Sequence, residues 1–234
     1  MFAIRFRRAA AATSLLAAVA SLAACDDSAK TAPATLAGIL AERGAQQNVV
    51  VGATATDSLK VQVTTSNATL AKGVEVNWSI VSGNGTLSSV TTTTDANGES
   101  AIAFKAGTKA GLTTINAKVS GLDPVAFNVQ QAADAAQAET ITSTEPTAAM
   151  LGAGSVPISV NVVDEFGNPV SGQTVFWSVS GGTGTFDLPS SVTDGNGLAV
   201  VNFTPTGSAG SVMIQALTGQ GITANIPLSV VSGN

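Results

Sequence analysis

The chain of 234 residues contains no histidine, no tyrosine and a single cysteine. Without histidine there is no Ser-His-Asp or Cys-His relay, and the commonest general base near neutral pH is missing. Zinc sites built on His and Cys are excluded by the same shortage. No Gly-x-Ser-x-Gly elbow, Ser-x-x-Lys motif or Gly-rich phosphate loop with a following Lys is present. Charged residues are 11% and aromatics 4%, against about 25% charged in ordinary globular domains. Gly, Ser, Thr, Ala and Val fill the space, the usual composition of an extracellular β-protein. Lys60, Lys72, Lys105, Lys109 and Lys118 are scattered and the formal net charge is −5, so the clustered basic surface that nucleic acid requires is absent. Neither an enzyme nor a cofactor is expected, and nucleic acid is not a partner.

The lone cysteine, Cys25, ends the run Leu22-Ala23-Ala24-Cys25. Ahead of it stand Arg5, Arg7 and Arg8 and the small-residue apolar stretch Ala9 to Ala24. That stretch is shorter than the roughly 20 residues that span a bilayer and follows a positive start, as a secretory leader does. The run resembles the lipobox of bacterial lipoproteins. The resemblance implies cleavage before Cys25, covalent lipid on its sulfur and a tether over residues 25–33; several acyl chains together hold a protein stably to a membrane. Loss of residues 1–24 removes three arginines and no acid, so the mature chain is more acidic than the whole. With Cys25 lipidated, no intrachain disulfide is available and stability rests on packing. Asp26 and Asp27 resemble the signal that retains lipoproteins on the inner membrane in enteric bacteria. Both the cell surface and the periplasmic face of a membrane therefore stay open as locations.

Past the leader the chain repeats itself. A shift of 99 residues lays Gly73, Val76, Trp78 and Ser79 on Gly172, Val175, Trp177 and Ser178. The register holds through Thr94, Asp95, Asn97 and Gly98 on Thr193, Asp194, Asn196 and Gly197, and through Phe104 and Ile115 on Phe203 and Ile214. Within each copy apolar residues alternate with polar ones: Leu59, Val61, Val63; Val74, Val76, Trp78, Ile80; Ile158, Val160, Val162. Alternation with period two predicts half-buried strands. Asp95-Ala96-Asn97-Gly98 and Asp194-Gly195-Asn196-Gly197 predict tight turns, and Gly167-Asn168-Pro169 another. A period of this size fits one sandwich domain rather than a solenoid repeat.

The succession Val-x-Trp-Ser, Gly-x-Gly-Thr, Thr-Asp-x-Asn-Gly, Ala-Gly and Ile-x-Ala resembles bacterial Ig-like domains of the invasin/intimin type. The resemblance implies an all-β chain of two tandem Ig-like sandwiches, over 34–129 and 139–234, joined by a short connector at 130–138. It places Trp78 and Trp177 in the core, a position their inward phase supports independently. Segment 35–43 is ambiguous: Leu36, Ile39, Leu40 and Arg43 suit one helical face, but analogy with 139–144 favours a first strand.

Four sets of residues are candidates for more than packing. Asp95, Asn97, Asp194 and Asn196 resemble the opening of a calcium loop, but the ligand series stops there, so a structural turn is expected. Carboxylates at Asp123, Asp134 and Glu139 are expected near the domain junction. Asp164-Glu165 is the one place where paired acids for glycoside hydrolysis can be guessed; its side chains should diverge, which suits a solvated loop better than glycoside chemistry. Phe166, Phe176 and Phe186 replace Asn67, Asn77 and Leu87 of the first copy and are a possible binding surface for an envelope protein or glycan. Few charges protect the sheet edges beyond Lys60, Lys118 and Glu75, so edge pairing between copies stays open. The function expected is display, spacing or adhesion at the cell envelope, with a carbohydrate- or protein-binding subunit as the alternative.

Overall fold

The computed structural model describes residues 34–135, 138–145 and 148–233; Cys25, the leader and the tether lie outside the described residues. Strands dominate throughout. In the first half they are β1 (Leu36–Arg43), β2 (Gln46–Val50), β3 (Leu59–Thr65), β4 (Glu75–Ser82), β5 (Gly85–Leu87), β6 (Thr91–Thr93), β7 (Glu99–Ile102), β8 (Phe104–Ala106), β9 (Gly111–Lys118) and β10 (Val125–Ala132). The second half holds β11 (Ala138–Glu145), β12 (Ala148–Met150), β13 (Val156–Asp164), β14 (Thr174–Gly181), β15 (Gly184–Phe186), β16 (Ser190–Val192), β17 (Leu198–Pro205), β18 (Gly210–Thr218) and β19 (Thr223–Val231).

Each half is a sandwich of two sheets. One sheet has five strands, in the order β2-β10-β9-β4-β6 and then β12-β19-β18-β14-β16. The opposing sheet is β1-β3-β7 with the short ladder β5-β8 in the first half, and β11-β13-β17-β15 in the second. Strands β2 and β12 run parallel to β10 and β19, whereas the other pairings are antiparallel. This is the Ig-like arrangement, with the inner faces of both sheets forming the core.

The period-two pattern becomes burial. Leu59, Val61 and Val63 on β3 are fully buried, as are Ile158, Val160 and Val162 on β13, while their polar neighbours are less so. Segment 36–43 is strand β1, paired with β3. The 99-residue register fails at this strand: Val63 faces Ile39, whereas its counterpart Val162 faces Ile141. That slip is why the segment read ambiguously. The connector is shorter than 130–138, because β10 runs on to Ala132 and β11 begins at Ala138. Parallel pairing with β2 carries β10 forward, placing Gln131 beside Val49 and Ala132 beside Val50.

Lys60 and Lys118 do not guard edges. Lys60 lies on the central strand of its sheet, where its Nζ meets Glu42 Oε2 at 3.2 Å and Glu99 Oε2 at 2.5 Å, so β1, β3 and β7 share one cation. Lys118 ends β9, and Glu75 begins β4, one strand in from the edge.

Candidate functional site

The two tryptophans occupy equivalent core positions. Trp78 is 2% and Trp177 6% exposed, and they face Ala117 and Ala216 across the sheet. Each indole N–H finds a hydroxyl on the neighbouring short strand: Trp78 Nε1 donates to Thr92 Oγ1 at 2.7 Å, and Trp177 Nε1 to Ser191 Oγ at 2.9 Å. A buried indole needs such a partner.

Phe186 is not a surface residue. Its ring lies 6.3 Å from Trp177 and 5.1 Å from Phe203, packed against the second core. In the first sandwich the ring beside the tryptophan is instead Phe127, 5.7 Å from Trp78. The aromatic has moved between strands: Leu87 and Phe127 in one copy become Phe186 and Ile226 in the other. Core volume is roughly conserved by such an exchange.

The calcium candidates build turns. Asp95 Oδ1 accepts the amides of Asn97 at 2.8 Å and Glu99 at 2.9 Å; Asp194 Oδ1 accepts those of Asn196 and Leu198 at the same distances. Backbone hydrogen bonds lower the Asp194 carboxyl below the usual aspartate value. Gly98 and Gly197 adopt φ of 65° and 76°, and a Cβ on either would stand 2.6 Å or less from the carbonyl of Val63 or Val162. The side-chain oxygen that a calcium ion would need thus already closes the turn. Among the described residues, no group of three or more acids gathers in metal-binding geometry. Asp123 lies between β9 and β10 beside Ala37–Ile39, at the opposite end of β10 from the junction; Glu139 lies on β11.

The junction is the most elaborate polar site, and Asp164 is its centre. Expected in a solvated loop, Asp164 is 2% exposed. Its Oδ1 accepts the amides of Phe166 at 3.0 Å and Asn168 at 2.8 Å, and its Oδ2 accepts that of Asp134 at 3.1 Å. Asn168 Nδ2 also donates to the carboxylate, at 3.0 and 3.1 Å. The same amide reaches into the first sandwich: Nδ2 donates to Thr108 O, and Oδ1 accepts the Ala110 N–H, both at 2.8 Å. Burial pushes the Asp164 carboxyl up, but the hydrogen bonds from Asn168, Asp134 and Phe166 outweigh it and hold the group below its usual value. Farther along, Gln220 Nε2 donates to Ala135 O at 2.8 Å, fastening the connector to the β18–β19 turn.

Phe166 belongs to this junction. Its ring lies over Gly52, where an added Cβ would stand 3.9 Å away. Phe166, Glu165 and Asp134 border an open depression of about 690 Å³ with Val51, Lys105 and Thr108 of the first sandwich. Of the three phenylalanines, Phe176 alone stands on an outer sheet face, 49% exposed and directly opposite Leu217.

The Asp164–Asn168 clamp was the residue pair that sequence reasoning missed. The signal lay in the internal alignment, where Asp164 and Asn168 replace Thr65 and Thr69. The same turn forms in both copies, since Thr65 and Asp164 amides donate to Thr69 O and Asn168 O, each at 2.9 Å. In the first copy the two threonine hydroxyls close it, 2.7 Å apart.

Comparisons with known proteins agree with this architecture. Residues 138–231 match the family described as bacterial Ig-like domain (group 1). The inverse autotransporter adhesin YeeJ of Escherichia coli (strain K12) is 25% identical over 207 residues, which are 87% of this chain and 8% of that much longer protein. FdeC, an Escherichia coli adhesin, is 22% identical with a TM-score of 0.62, over 85% of this chain and 65% of that one. InvD of Yersinia pseudotuberculosis is 18% identical with a TM-score of 0.58, over 86% and 58%. The second sandwich thus matches the group 1 bacterial Ig-like domain by its own sequence, and the first repeats its Ig-like fold in tandem.

Proposed function

We propose that this protein is a non-catalytic display and adhesion module of the bacterial cell envelope, tethered by lipid on Cys25. The observation that carries the reading is the pair of Ig-like domains fastened end to end, similar over most of the chain to a protein named as an adhesin. Polar side chains at the most elaborate site are spent on joining domains, which suits holding a surface at a distance better than chemistry on a substrate. The lipobox resemblance supports the tether, and the shortage of His and Cys supports a role without catalysis or cofactor. Location follows the anchor, at the cell surface or the periplasmic face of a membrane.

Labelled cells expressing the chain and a Cys25→Ser variant test the proposal by fractionation, protease shaving and attachment assays. The parent chain should partition with membranes and raise attachment, and the variant should leave the membrane fraction. Equal membrane retention of both would contradict the lipid tether, and attachment unchanged by deletion of the protein would contradict adhesion.

A second reading, a binding subunit for a protein or glycan, is favoured by the exposed ring of Phe176 on the outer face of the second domain.

A further inference from the structure

The two copies differ on the outer face of the five-stranded sheet. In the first domain that face holds Glu75, Asn77, Thr91, Thr93 and Lys118, where Asn77 Nδ2 donates to Glu75 Oε1 at 3.0 Å and Thr91 Oγ1 donates to Asn77 Oδ1 at 3.2 Å. The aligned residues of the second domain are Thr174, Phe176, Ser190, Val192 and Leu217. Phe176 pairs with Leu217 across β14 and β18, and Val192 stands beside Thr174 on the adjoining strand, diagonal to Phe176. Val192 is 59% exposed and Leu217 half-buried. The amide of Asn77 and the charge of Lys118 have thus given way to the apolar Phe176 and Leu217, and the charge of Glu75 to the neutral Thr174.

Charge narrows the occupant. Strands β12, β14, β16, β18 and β19 contain no Asp, Glu, Lys or Arg. The chain has no Lys or Arg after Lys118, so every side-chain charge of the second domain is negative. Elsewhere on the second domain Asp187 and Asp194 are exposed carboxylates. The junction end carries Glu165 as well. Like charges across an interface repel, and the outer face of the five-stranded sheet avoids that repulsion. A basic partner finds no carboxylate on these strands.

We infer that this face, centred on Phe176, Leu217 and Val192, is an interface for a second copy of the chain, paired face to face about a two-fold axis. Its size sets the strength. At about 4.8 Å between strands and 3.4 Å per residue the five strands cover roughly 500 Å² in projection, so two faces bring together about 1,000 Å², the threshold for a specific interface. The pair is therefore weak and concentration-dependent.

Sedimentation velocity of the full chain in mild detergent tests this against the same chain carrying Phe176→Asn, Val192→Thr and Leu217→Lys. Those are the residues the first domain bears at these positions, and a single Phe176→Asn variant serves if the triple one melts early. The parent should shift from monomer towards dimer with rising concentration, insensitively to salt because no charge is involved. The triple variant should raise the dimer Kd at least about tenfold. A parent that stays monomeric, a dimer that the substitutions leave intact, or one that salt dissociates would each overturn the inference. Monomers retained on neutral glycans through Phe176 would overturn it in favour of carbohydrate as the occupant.

Discussion

Asn168 of the second domain and Ala110 of the first meet across the junction, with Asn168 Oδ1 accepting the Ala110 amide at 2.8 Å. Asp164 holds Asn168 from behind, so the amide group is aimed before it reaches its partner. The first copy carries threonines at both positions and forms the same turn without a clamp.

Transplanting those threonines separates the turn from the clamp. The double variant Asp164→Thr, Asn168→Thr should keep both domains folded yet lose about 2–4 kcal/mol of coupling, the scale of buried hydrogen bonds to a charged group. Calorimetry should show the second domain melting earlier, on its own. A single transition at the parent temperature would contradict this.

Acid should loosen the same joint. The Asp164 carboxyl lies below its unfolded value, near about 3.9, so the unfolded chain binds more protons as pH falls. Its contribution is fully present above about pH 5 and is lost as pH drops through the folded value. Asp187 and Asp194, also lowered by hydrogen bonds, add to the acid limb. Melting temperature against pH should fall less steeply below pH 4 in the threonine variant than in the parent.

The aromatic exchange around the tryptophans predicts a coupled pair. Phe186→Leu should cost about 1 kcal/mol or more through the space it leaves, and adding Ile226→Phe, to restore the first domain's arrangement, should recover part of it. Chemical denaturation of both single variants and the double completes the cycle. Strict additivity would contradict the shared packing.

Gln131 points to a gain. Its Nε2 donates to Asn84 O and Thr113 Oγ1, but its buried Oε1 has no partner among the described residues. The second copy has Val230 at this position. Gln131→Val should stabilise the first domain by about 1 kcal/mol, as removal of an unsatisfied buried group does, and denaturant midpoints measure it.

The fold was legible because two signals reinforced each other: period-two burial in strands such as β3, β9, β13 and β18, and a second copy that repeated it. Trp78 and Trp177 followed from the Ig-like resemblance and, independently, from their inward phase, and the aspartate turns followed from Asp-x-Asn-Gly chemistry. What failed was reading single substitutions in isolation. Leu87 to Phe186 reads as a new surface ring until Phe127 to Ile226, its partner change on a distant strand, is set beside it. Asp164 looked solvated because an acid at a strand end ordinarily is. Which loops face each other across a junction is a property of two domains together, and no local pattern in either encodes it. Phe176 was legible, since its phase opposed Trp177.

Asp164 and Asn168 fasten the two Ig-like domains as one body. Residual dipolar couplings of the two domains in one weakly aligned sample test it most directly. The parent should yield a single alignment tensor shared by both domains, and the double threonine variant two different ones. Separate tensors in the parent would contradict the account.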